Sequence, residues 1–83
     1  MTVIDEWPIN KRETVRVSIE KYNGVWLINL RKWFEADDGE MRPGNRGIAL
    51  GVKHLPRLAE AMSAAHRVAI QQGLIDSTPE ARS

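Results

Sequence analysis

The sequence predicts an α+β fold: a four-stranded antiparallel sheet followed by one C-terminal helix, in the order β-β-β-β-α. Three observations carry this reading. Val15, Val17 and Ile19 alternate with Arg16, Ser18 and Glu20, which is the period of a half-buried strand. Asn23-Gly24 follows, and both residues accept the positive φ angles of a tight type I′ hairpin turn. Beyond His54, the residues Leu55, Leu58, Met62, Ala65 and Ala69 recur at helical spacing.

Taken in order, residues 1–13 lack a clear period and hold Pro8 after Trp7, so they read as an extended N-terminal arm. The first strand then runs from Thr14 to Tyr22 and the second from Val25 to Phe34. A two-residue loop at Asn23-Gly24 sets Tyr22 opposite Val25, Ile19 opposite Ile28 and Val17 opposite Leu30. These last two pairs, with Trp26 opposite Lys21, form the predicted core face. Ser18 with Asn29, Arg16 with Arg31, and Glu20 beside Leu27 form the mixed, polar one. Asp37-Asp38-Gly39 is a further turn signal, and Glu40-Met41-Arg42 reads as a short third strand. Pro43 removes a ladder donor, so residues 43–47 read as a turn, and Ile48-Ala49-Leu50 as the fourth strand. The helix is expected from about His54 to Gln72, with Pro56 in its first turn and Gly73 as its stop. The resulting division is an arm (1–13), a single domain (14–73) and a polar tail (74–83).

A chain of 83 residues buries only about 60% of its unfolded surface, and small cores of this kind gain burial from a second copy. A homodimer is therefore expected. Cysteine is absent, which excludes a disulfide framework and a thiolate metal site. No secretory pattern or membrane-length apolar run occurs, so the expected location is cytoplasmic, nucleoid-associated in a bacterium. Net charge is only +1, but its distribution is uneven. From Lys11 to Arg57 there are ten Lys and Arg against six Asp and Glu, and the two ends are acidic. A localised anion-binding face suits that asymmetry, although mixed, solvated surface charge also explains it.

One helix cannot cover both faces of a four-stranded sheet, so one face is left for solvent or a ligand. Tyr22, Trp26, Trp33 and Phe34 all lie in one hairpin, interleaved with Lys21, Arg31 and Lys32. Aromatic rings among cations on a sheet are what unstacked bases use as platforms while the cations follow the phosphates. Aromatics also fill cores, and Trp26 is assigned there by its face. Tyr22, on the polar face beside the turn, is a binding candidate. Trp33 and Phe34 point oppositely, so one packs and the other is available. Arg16 opposite Arg31 repels unless an anion sits between them: a phosphate or a nearby Glu or Asp such as Glu20 would serve, and splayed, solvated arginines are an equal alternative. The loop from Gly39 to Gly47, with Arg42 and Arg46, is able to follow a nucleic-acid backbone, as an ordinary pair of turns would also explain it. His54 and His66 lack a third metal ligand, and Ser63 with His66 lacks an orienting acid, so neither a cofactor nor an enzyme is expected.

The run VSIEKYNGVWLINLRKWFEADDGEMRPGNRGIAL resembles the core of the positive cofactor four family of transcriptional coactivators. GEMRPGNRGI is its most specific part, being similar without gaps to the family's Gly-Glu-Met-(Lys/Arg)-Pro-Gly-x-(Lys/Arg)-Gly-Ile signature. The resemblance implies a dimer whose paired β-ribbons bind single-stranded DNA with little sequence preference, in transcription regulation or DNA repair; RNA also stays open. By matching position it implies base stacking on Tyr22 and Phe34, and phosphate contacts from Arg31, Arg42 and Arg46, with Lys11 and Arg12 near a basic site before the first strand; the hairpin pattern itself adds Arg16, Lys21 and Trp33 as candidates. Glu20, Asn23, Val25 and Asn45 stand where animal members carry basic residues, which implies weaker and less salt-sensitive binding. The compact chain resembles bacterial members. The competing expectation is a dimeric protein-interaction module whose exposed aromatic face docks a transcription or repair protein.

Overall fold

In a computed structural model, which describes residues 1–76, the chain divides into a β unit, Met1–Val52, and a helical unit from Lys53 onward. The β unit is one antiparallel sheet of four strands in the order β1-β2-β3-β4, comprising β1 (Thr2–Pro8), β2 (Glu13–Tyr22), β3 (Val25–Glu35) and β4 (Met41–Gly51). Each strand hydrogen-bonds to its neighbour in sequence, so every connection is a local hairpin.

The central hairpin has the predicted register throughout. Tyr22 faces Val25, Ile19 faces Ile28, Val17 faces Leu30 and Glu13 faces Phe34 without a slip. Asn23 at φ 50° and Gly24 at φ 80° supply the two left-handed residues that a type I′ turn needs.

The two outer strands differ from the sequence reading. Residues 1–13 are extended, but Thr2–Pro8 is a paired edge strand and not a free arm. It turns back through Asn10, whose Oδ1 accepts hydrogen bonds from the backbone N–H groups of Arg12 (3.0 Å) and Glu13 (2.9 Å). The Asn10 amide also donates to Glu13 Oε1 at 2.8 Å. An Asn that closes its own turn needs no help from hydrophobic alternation. The pairing also carries a bulge: Val3 faces Ser18 and Asp5 faces Val17, leaving Ile4 as the extra residue. That insertion erases the period-two pattern by which a strand is recognised.

The second correction concerns β4. The two short strands expected around a turn at residues 43–47 are one continuous strand, Met41–Gly51. Pro43 is accommodated because β4 is an edge. Arg31 faces Gly47 and Trp33 faces Pro43, so Gly44, Asn45 and Arg46 stand opposite Lys32 in a bulge. The glycines permit close approach here. A Cβ on Gly44 would lie 2.9 Å from the Lys32 carbonyl oxygen, and one on Gly47 would meet the Arg31 side chain at 3.0 Å.

Burial is shallow. Among the described residues Ile28, 6% exposed, is the one buried hydrophobic residue. Its neighbours on the predicted core face are half-buried or, like Leu30, exposed. Trp26, expected in the core, is 52% exposed. The buried polar residues Ser18 and Asn29 lie on the opposite face, where the Asn29 amide donates to Glu20 Oε1 at 2.7 Å.

In the helical unit a single 3-10 turn, Val52–His54, leads into α1 (Leu55–Gln71), with Pro56 in its first turn. The helix closes as a Schellman motif: Gly73 at φ 73° donates to Ile70 O and Leu74 N–H donates to Ala69 O. Along the predicted stripe Leu55, Leu58 and Ala69 are half-buried, while Met62 and Ala65 are exposed. No helix of the described residues is long and apolar enough to cross a membrane. The expected polar tail lies, from residue 77 on, outside the described residues.

A Gly44→Ala substitution forces the β3–β4 bulge apart and is expected to cost about 1–3 kcal/mol of stability. Urea unfolding at matched protein concentration measures this, and an unchanged midpoint would contradict the close approach.

Candidate nucleic-acid interface

Alternation along the strands sorts the candidate residues onto two faces of the sheet. Thr14, Arg16, Glu20, Tyr22, Arg31 and Trp33 share one face by register; Lys21, Trp26, Lys32 and Phe34 share the other.

On the first face the arginine expected to repel Arg31 is already neutralised. Arg16 Nε donates to Glu6 Oε2 of β1 at 2.9 Å, and its guanidinium lies 3.9 Å from the centre of the Trp33 ring. The anion that meets Arg16 is therefore a carboxylate from β1, on the side of Arg16 away from Arg31, and not Glu20. The stack also covers one face of Trp33, which makes Trp33 the member of its pair that packs. Arg31 lies along Gly47 and donates from Nη1 to the Gly44 carbonyl at 3.0 Å, leaving its other donors open. Gly47, lacking a Cβ, leaves room for this side chain.

On the second face a groove of about 900 Å³ opens in the sheet. It is lined by Trp7 of β1, Val15 of β2, Leu30, Lys32 and Phe34 of β3, and residues 44–48 of β4. Arg31 and Glu13 also reach it. Most of the lining is apolar or aromatic, and Lys32 and Arg46 supply positive charge. Among the described residues neither Lys32 nor Arg46 is in an ion pair. Phe34, 39% exposed, stands at the junction with a second depression lined by Asn10, Lys11 and Arg12. The β1–β2 turn thus brings two further cations beside Phe34. Glu13 is the acid of this region, and the Asn10 amide occupies its carboxylate.

Arg42 of β4 faces Phe34 across the strand pair, but it is bound to Asp38 Oδ2 and stands 3.7 Å from Glu40, so its charge is locally compensated. At the far end of the hairpin Tyr22 is 64% exposed, and Lys21 lies 5.9 Å from the Trp26 ring. The 10 residues of β2 separate this tip from Phe34, which faces Glu13. At about 3.4 Å per residue that is roughly 30 Å. Tyr22 and Phe34 are therefore two stations on opposite faces, not one pocket. Sequence reasoning missed Trp7 and Lys32 as groove residues and took Trp26 for a core residue. Lys32 was legible from its parity with Phe34, whereas Trp7 was hidden by the bulge in β1. Among the described residues no group of three metal-binding side chains is assembled.

Comparison with known proteins finds the same fold. The crystal structure of a complex of MoSub1 with DNA is similar at 32% identity, covering 89% of this chain and 90% of that one, with a TM-score of 0.66. A MoSub1 complex with single-stranded DNA is similar at 30% identity over 94% and 93% of the two chains, also with a TM-score of 0.66. A PC4 homologue from Burkholderia pseudomallei shares the fold at 21% identity, a TM-score of 0.71, and 80% and 89% coverage. The family model for Transcriptional Coactivator p15 (PC4) matches residues 9–61, which include the central hairpin, the bulged β4 and the start of the helix. The match spans more than half of the chain, and this protein belongs to that family.

Proposed function

We propose that this chain binds single-stranded DNA with little sequence preference and works as a homodimer. The observation that carries the binding is the groove in which the exposed ring of Phe34 stands beside Lys32 and Arg46, two cations held by no carboxylate among the described residues. An aromatic platform flanked by free cations matches an unstacked base and its phosphates. The groove offers π-surface and charge in preference to an ordered set of base-edge donors, which favours binding of any sequence. The similarity to MoSub1, seen in complex with single-stranded DNA, supports the same partner. An RNA strand of the same sequence presents similar bases and phosphates and is expected to use the same contacts.

Shallow burial supports the dimer. A chain with one buried hydrophobic side chain among its described residues, and with Val3, Trp26, Met62 and Val68 exposed outside the groove, gains little from burial alone. A second copy is the available source of more. Sedimentation equilibrium at micromolar concentration is expected to give twice the 9.4 kDa chain mass. A cooperatively folded monomer under those conditions would contradict this part.

The electrostatic part is tested by salt. With Arg42 compensated, Arg31, Lys32 and Arg46 remain as phosphate contacts, so log affinity is expected to fall with log salt at a slope near −2 per chain, at about 0.7 per contact. An affinity that ignores salt refutes the phosphate contacts and favours the competing reading, a docked protein. Tyr22→Ala and Phe34→Ala are each expected to weaken binding about fivefold or more while the dimer stays folded. Because the two rings are far apart, their losses should multiply in the double variant. A double variant no weaker than either single one would place both rings at one contact.

A further inference from the structure

The groove holds a second aromatic ring, Trp7, which lies outside residues 9–61, the span matched by the family model. Its position there has a definite cause. Thr2 faces Ile19, and simple alternation from that pair would put Trp7 on the face of Arg16 and Trp33. The extra residue at Ile4 reverses the parity of everything after it. Trp7 then faces Val15 on the groove side, and Glu6 faces Arg16 on the other. One bulge thereby accounts for both the neutralised arginine and the second ring.

Across the sheet Trp7 pairs with Val15, and Val15 pairs with Lys32. Two strand spacings, about 10 Å, separate β1 from β3, where Phe34 stands. Trp7 and Phe34 are thus two platforms on either side of β2, too far apart to clamp one ring and each open to a different base of one strand. Lys32 stands in the same cross-strand row as Trp7, placed for the phosphate of a base lying there. Trp7 is 37% exposed, and its indole offers a larger stacking surface than the Phe34 ring.

Resting on the single-strand reading above, we infer that Trp7 is a second base-stacking platform of the groove, supplied by β1 and set on that face by the bulge at Ile4. The occupant is an unpaired nucleobase, favoured over a protein segment because the charges lining the groove are three cations, Arg31, Lys32 and Arg46, against the single carboxylate of Glu13.

The test uses the full chain as wild type, Trp7→Phe and Trp7→Leu. Each is titrated by fluorescence anisotropy, at low salt, with a mixed-sequence DNA strand and with an abasic strand of the same length. Leucine keeps apolar bulk and lacks a π-face, whereas phenylalanine keeps one. Trp7→Leu is expected to bind the base-bearing strand at least about fivefold more weakly, and Trp7→Phe to restore most of that loss. All three are expected to bind the abasic strand equally. Wild-type affinity for the base-bearing strand in Trp7→Leu, or an equal loss on both strands, would overturn the inference while leaving the single-strand reading intact. Wild-type protein that binds neither strand would overturn both. If Trp7→Leu fails to fold, tryptophan emission decides: strand-induced quenching should be smaller in Trp7→Phe than in wild type, and undiminished quenching would refute the stack.

Discussion

Everything on this sheet follows from the register of one hairpin. Asn23 and Gly24 are the two positive-φ residues that close β2 onto β3 with no loop to spare. With side chains alternating at period two, that closure decides the face of every residue from Glu13 to Phe34. A slip of one residue would exchange Phe34 and Lys32 for Trp33 and Arg31. The groove would then hold the Trp33 ring and Arg31 in place of the exposed Phe34 and Lys32. The turn is remote from the groove in space, yet it determines what the groove contains.

The outer strands then adapt the two faces by departing from regularity. Each carries a bulge against its inner neighbour, at Ile4 in β1 and at residues 44–46 in β4. The first sends Glu6 and Trp7 to opposite faces. The second brings Gly44 and Gly47 under Arg31 and places Arg46 in the groove. Bulges unpair residues at a cost to the ladder, and here the one in β4 lines the groove while the one in β1 sets the face of Trp7, which fits a binding surface more than a purely structural sheet. On the face carrying Arg16, that arginine is paired with Glu6 and stacked on Trp33, which leaves Tyr22 and Arg31 as its open residues.

How much of this was legible depended on whether local chemistry or tertiary contact decided the element. The central hairpin was fully legible, because alternation and Asn23-Gly24 are both local signals. The helix stop was legible for the same reason in Gly73. Strand β1 was not, since its bulge breaks the pattern and its return is closed by the Asn10 side chain. Strand β4 was misread because Pro43, Gly44 and Gly47 are turn-formers by propensity. In the sheet they serve an edge position and a close approach to β3, neither visible in one dimension. At the site, parity alone separated Trp33 from Phe34 correctly. Parity without burial misplaced Trp26, whose face carries one buried hydrophobic residue among those described. The neutralisation of Arg16 and Arg42 required knowing which carboxylates reach them, and Glu6 came from the segment read as an unpaired arm.

The account stands on the claim that this surface takes bases that are free of partners, since only an unpaired base offers its face to Phe34. The direct measurement is a competition titration at fixed low salt, with a labelled mixed-sequence DNA strand displaced by unlabelled strand or by the blunt duplex of the same sequence. The account predicts that the single strand competes at least about tenfold better per nucleotide, because the duplex presents the phosphates without the stacking term. Equal competition by the duplex would mean that charge alone holds the nucleic acid, and would contradict the account.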